Sequence, residues 1–122
     1  MLPKDKVIYT FVDGPVGGKL TDLFSFYYLP SQVLKHEQHS ELCVCYTYYN
    51  VSTTGRLQEG MQDMLLKAQK MDFDVFNTLD YMENLEILKN LKYAIGDGLL
   101  HYYLYNWRIK SLTPDQIAMT LV

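Results

Sequence analysis

Leu57, Met61, Met64, Leu65 and Ala68 follow one another at spacings of 4, 3, 1 and 3, which puts all five on one side of a helix. Strand-like runs flank this stripe on both sides. Val7 to Val12, Leu20 to Leu29 and Glu41 to Val51 are rich in Val, Phe, Tyr, Thr and Cys. Phe73 to Leu79 is a shorter apolar run, Leu99 to Trp107 a longer aromatic one, and Ile117 to Val122 a last one. Leu85, Leu88 and Leu91 mark a second helix, with Asp80 or Asn84 as its N-cap. The predicted order is β-β-β-α-β-α-β-β. A helix with one apolar face must bury that face on a neighbour, and the neighbours here are strands. The expected class is therefore α/β (α+β with a mixed sheet), mostly antiparallel, with two main helices.

Punctuation sets the expected boundaries. Asp13-Gly14 and Gly17-Gly18 turn the first two strands into a hairpin. Pro30 is expected to end the second strand at Leu29-Pro30-Ser31, because proline cannot donate to a ladder. Ser31 to Glu41 is polar, with one helical turn expected at Gln32 to Lys35. Ser52 to Gly55 reads as a flexible polar lead into the first helix.

The 122 residues are expected to form a single domain, 1–122, and a hydrophobic content of 48% is enough to build a core. A net charge of −3 without any basic block makes nucleic acid a poor partner. No apolar run approaches the roughly 20 residues of a membrane-spanning helix, so no integral membrane association is expected. The start, M-L-P-K-D-K, has no apolar signal core, which leads to the expectation of a cytoplasmic protein. Cys43 and Cys45, two apart on a strand, share a face but sit too far apart to bond, so reduced thiols are expected. Eleven tyrosines are the compositional oddity, and tyrosine suits core edges and peptide-binding grooves.

Most candidate motifs fail on spacing. Gly18-Lys19 suggests a phosphate loop, but Asp13 stands where that pattern needs its first glycine and Leu20 where it needs Ser or Thr. His36, His39, Cys43 and Cys45 are zinc-type ligands, yet C-x-C is too short to wrap one ion, and no metal is expected. A Cys–His nucleophilic pair lacks an orienting third group. The Met61/Met64 stripe reads as core, and Asn50-Val51-Ser52 is a sequon without meaning in a cytoplasmic chain. Gly96-Asp97-Gly98 stands out as a fixed anion between two glycines. On its own it is a weak signal, and an ordinary tight turn with a solvated aspartate is the default reading.

K-Y-A-I-G-D-G (Lys92 to Gly98), followed by Y-Y-L-Y-N-W (Tyr102 to Trp107), resembles the C-terminal end of the N-myristoyltransferase family. T-D-L-F-S-F-Y-Y-L-P-S (Thr21 to Ser31), Y-T-Y-Y-N-V (Tyr46 to Val51) and F-D-V-F-N-T-L-D (Phe73 to Asp80) extend the resemblance along the whole chain. Tyr93 and Ala94 depart from the family's Phe and Gly, and a left-handed backbone at Ala94 would be strained. The resemblance implies a GNAT-like half-fold. It also implies transfer of myristate from myristoyl-CoA to the N-terminal glycine amine of proteins. Asp97 and Gly98, with Tyr27, Ser31, Tyr46 and Leu121, would then bind the substrate polypeptide. The base would be the terminal carboxylate of Val122, carried on an apolar last segment. No cofactor is expected to be held tightly. Myristoyl-CoA, as co-substrate, would be bound mainly by an N-terminal half that this chain lacks, so the chain is expected to be a fragment or a truncated reading frame. The alternative is a stand-alone, non-catalytic peptide-binding module. A GNAT-type N-acetyltransferase ranks below both, since no Q/R-x-x-G-x-G/A pyrophosphate loop occurs.

Overall fold

The computed structural model describes residues 3–34 and 38–119. They fall into two compact units, the first running to Leu79 and the second starting at Asp80. The first unit is a four-stranded sheet in the order β1-β2-β3-β4: β1 is Ile8–Asp13, β2 Asp22–Gln32, β3 Glu41–Ser52 and β4 Val75–Asn77. β1, β2 and β3 are antiparallel neighbours, and β4 joins β3 in parallel. Helix α1, Leu57–Lys70, makes the crossover that a parallel pair requires. This is the mixed α/β sheet expected from the pattern of apolar residues.

α1 buries Met61, Met64 and Ala68, three members of the predicted stripe. It lies on the sheet face that carries Phe24 and Phe26. A Cβ on Gly60 would stand 1.9 Å from the Phe24 ring, so glycine is what allows the helix so close to the sheet. Phe26 is fully buried, with the rings of Tyr9, Phe11, Phe73 and Phe76 at centroid distances of 5.1 to 5.8 Å. Truncating a core ring of this kind costs about 3–5 kcal/mol.

Several boundaries differ from the sequence expectation. β2 does not stop at Pro30 but pairs with β3 through Gln32, so the expected helical turn does not begin at Gln32 either. The register supplies the reason. The Tyr28 N–H donates to Val7, on the β1 side, and Pro30 two residues on faces the same side after β1 has ended. The missing N–H therefore removes no ladder bond. The strand expected over Phe73 to Leu79 shrinks to Val75–Asn77, because Asp72 and Phe73 close the end of α1 instead. Asp72 is left-handed at φ 58, and the N–H groups of Asp72 and Phe73 bond to Gln69 and Ala68. This is a Schellman closure without its usual glycine.

The second unit holds helix α2, Asn84–Asn90, and a single 3-10 turn at Pro114–Gln116. The N-cap of α2 is Glu83, without a side-chain bond, rather than Asp80 or Asn84. α2 closes as α1 does, with Lys92 left-handed at φ 60 and Tyr93 bonded back to Leu88. The strand expected over Leu99 to Trp107 is absent. That segment is irregular, and Leu99, Tyr103, Tyr105 and Trp107 are 75–88% exposed. A strand exists only through a paired neighbour, and the described part of this unit contains none. Ile117 to Met119 is likewise irregular, and the rest of that expected strand lies outside the described residues.

Candidate functional site

β2 and β3 are long enough to present a row of side chains on the face away from α1. Tyr27 and Ser31 share that face because they lie four apart on β2, and Tyr46 stands directly opposite Tyr27 on β3. The rings of Tyr27 and Tyr46 stack at 5.5 Å and 16°. Tyr48 meets Tyr27 edge-on at 5.7 Å. All are partly buried, as is Ser31. Burial raises the Tyr27 phenol above its ordinary value, with smaller contributions from Tyr46 and Tyr48, so it stays a neutral hydroxyl. The face thus combines flat apolar area with hydroxyl tips, which suits an extended polypeptide.

Asp97 and Gly98 lie in the second unit, on an exposed stretch without regular structure. Neither Gly96 nor Gly98 is left-handed, and nothing stands within 4 Å of the Cβ that either lacks. The turn itself does not demand glycine there. Ala94 is not left-handed either, so the strain expected from that departure does not arise; Lys92 is the residue that takes the positive φ. Leu121 and Val122, and His36 of the discarded zinc set, lie outside the described residues.

Sequence reasoning missed two groups of residues. The first is at the hairpin mouth, where Ser52 to Gly55 is pinned rather than free. Asp22, 3% exposed, accepts hydrogen bonds from Thr21 Oγ1 at 2.6 Å, from Thr54 Oγ1 at 2.8 Å and from Ser52 Oγ. Arg56, just before α1, bonds Asp13 at 2.5 Å and lies 3.6 Å from Asp22. The Ser52 hydroxyl above all, then Thr21, hold the Asp22 carboxyl at about 2, too acidic to exchange protons near neutrality. Asp13, Asp22 and Arg56 of this cluster line a cleft of about 270 Å³ between the hairpin and α1, together with Phe11, Phe24 and Met64. The second missed group is Ser25, Tyr48 and Tyr49. The adjacent tyrosines in Tyr46-Thr47-Tyr48-Tyr49 break strict alternation, and that break was the available signal.

Both cysteines are free, as expected. Burial pushes the Cys45 thiol up to about 12, which removes it as a nucleophile at neutral pH. The Cys43 sulfur rests 3.9 Å from the Tyr28 hydroxyl.

Residues 1–120 match the family described as myristoyl-CoA:protein N-myristoyltransferase, C-terminal domain. Glycylpeptide N-tetradecanoyltransferase 2 of Danio rerio is 47% identical over 98% of the chain, which covers 24% of that protein. The Drosophila melanogaster glycylpeptide N-tetradecanoyltransferase is 44% identical over 98% of the chain and 25% of its own length. Among solved structures, Saccharomyces cerevisiae N-myristoyltransferase with bound myristoyl-CoA superposes with a TM-score of 0.70 at 32% identity. That match covers 76% of this chain and 26% of the yeast one. The chain therefore spans about a quarter of the length of the relatives it matches.

Proposed function

This chain belongs to the N-myristoyltransferase family, in its C-terminal domain, and we propose that it supplies the polypeptide groove and the base of a glycylpeptide N-tetradecanoyltransferase. The observation that carries this reading is the stacked Tyr27–Tyr46 pair with Ser31 on the same face. A substrate main chain laid along this face meets apolar rings and hydroxyl partners together. The family resemblance also assigns Asp97, with Gly98 beside it, as an anion for a basic residue of the substrate, and Leu121 as a further substrate-binding residue. Myristoyl-CoA is the co-substrate, bound mainly by the remaining three-quarters of such an enzyme.

The chemistry begins from a difficulty. An N-terminal amine has a pKa of roughly 8 and is mostly ammonium at neutral pH. Only the free amine attacks. In this reading the terminal carboxylate of Val122 stands beside the ammonium and takes its proton. A carboxylate of pKa roughly 3.5 is a weak base in water, so its contribution is placement in a dry site. The amine nitrogen then bonds to the acyl carbon and the C–S bond breaks. The thiolate of CoA takes up the nitrogen's second proton, and the first passes from Val122 to solvent.

The test is made in an intact enzyme carrying this domain. One residue added after Val122 moves the carboxylate by up to ~3.6 Å, beyond hydrogen-bond reach. Single-turnover transfer should slow by roughly 10²-fold or more, with acyl-CoA affinity nearly unchanged. Val122→Leu should be close to neutral. A parental rate in the extended variant would falsify the assignment of the base.

A further inference from the structure

Between β2 and β3 the register slips. Phe24 faces Asn50 and Phe26 faces Thr47, so the single residue Ser25 stands against two, Tyr48 and Tyr49. This is a β-bulge with the extra residue on β3. Neighbours on a regular strand point to opposite faces, yet the Tyr48 and Tyr49 rings lie only 4.8 Å apart. The bulge is what brings them together, with Tyr48 against Tyr27.

A bulge leaves backbone groups without ladder partners, and Ser25 meets them. Its hydroxyl donates to the Tyr49 carbonyl at 3.0 Å and accepts from the Tyr49 N–H at 2.9 Å. Ser25 is fully buried, so water does not take its place. Alanine offers neither bond. Valine and threonine add bulk where the strand is already enclosed. A small side chain with one donor and one acceptor is what the position selects.

We propose that Ser25 is a positioning residue for polypeptide binding: it fixes the bulge that sets Tyr48 and Tyr49 beside the Tyr27–Tyr46 stack, and so shapes the aromatic wall of the groove. The inference rests on the groove reading above and adds to it a buried residue that touches no substrate. It also extends the wall from two tyrosines to four, which broadens the apolar surface offered to substrate side chains.

The experiment uses the intact enzyme with a glycine-starting peptide and myristoyl-CoA, and compares Ser25→Ala, Ser25→Cys and Tyr46→Ala. Losing two buried hydrogen bonds from the bulge should raise the peptide KM by about tenfold. The myristoyl-CoA KM and kcat should stay within about twofold of the parent. Ser25→Cys keeps a weak donor and acceptor at similar volume and should fall between the two, a rise of about threefold. If Ser25→Ala does not fold, Ser25→Cys decides the question on the same reading. A parental peptide KM in the Ser25 variants, with a raised one in Tyr46→Ala, overturns the role of Ser25 and leaves the groove standing. Parental values in all three overturn the groove as well. Equal losses in both KM values and kcat assign Ser25 to general stability and overturn the inference.

Discussion

Asp22 shows how one carboxylate ties three segments together. It holds Thr21 just before β2, Ser52 at the end of β3 and Thr54 in the loop before α1. Its pKa of about 2 lies below the ordinary 3.8, so folding favours the charged form. The sign follows directly. The stabilisation is fully present above the ordinary value and is lost as pH falls from there through about 2. Asp13 shifts in the same direction, chiefly through the hydrogen bond from Arg56. Urea midpoints at pH 6 and pH 2.5 should therefore show a smaller acid-induced fall in Asp22→Asn than in the parent. An unchanged fall would mean that other carboxylates carry the acid sensitivity.

At the level of elements, α1 and the sheet are matched by a close approach that only a missing side chain allows. Gly60 sits inside the helix, where glycine costs about 1 kcal/mol against alanine. Propensity alone makes Gly60→Ala stabilising. The Phe24 ring, 1.9 Å from the new methyl, opposes it, and overpacking a core costs typically 1–3 kcal/mol. The second effect is the larger, so Gly60→Ala should lower the thermal midpoint. A higher midpoint would show that the Phe24 ring moves aside freely. α2 is shorter, seven residues against fourteen, and like α1 it has no N-cap side-chain bond. Helices this short depend on packing for their persistence.

For the whole molecule, the exposed run from Leu99 to Trp107 stands out, since large apolar side chains left in water tend to associate. The 122-residue chain should therefore self-associate at high concentration, and light scattering would read this as a mass above the monomer's 14.3 kDa. It should also fail to transfer myristate by itself. A thioester carbonyl needs oxyanion donors, and on the proposed reading these and the acyl-CoA pocket belong to the rest of the enzyme. Turnover of myristoyl-CoA with a glycine-starting peptide by the purified chain alone would contradict this division of labour.

Local pattern was enough for the first two-thirds of the fold. A 3.6-residue stripe cannot sit still as a strand, so Leu57 to Ala68 announced α1, and β-forming runs between turn residues announced β1, β2 and β3. The motifs from Thr21 to Asp80 and from Lys92 to Trp107 likewise identified the family. Tyr27 and Ser31 were picked out by the family motif from Thr21 to Ser31. With the strand expected to end at Pro30, alternation did not reach Ser31, and the structure is what puts both on one face. Register did not follow from pattern. The pairing of Tyr27 with Tyr46 and the slip at Ser25 depend on which residues of two strands meet, and a single strand's sequence does not encode that. Pro30 was misread for the same reason: whether a missing N–H matters depends on where the neighbouring strand ends. Asp22 went unnoticed because its hydroxyl partners on Ser52 and Thr54 lie 30 and 32 residues away. The aromatic run after Gly98 has strand composition and no strand, because β structure is a property of pairs. Composition tells a segment what it can become, and only a partner in space makes it so.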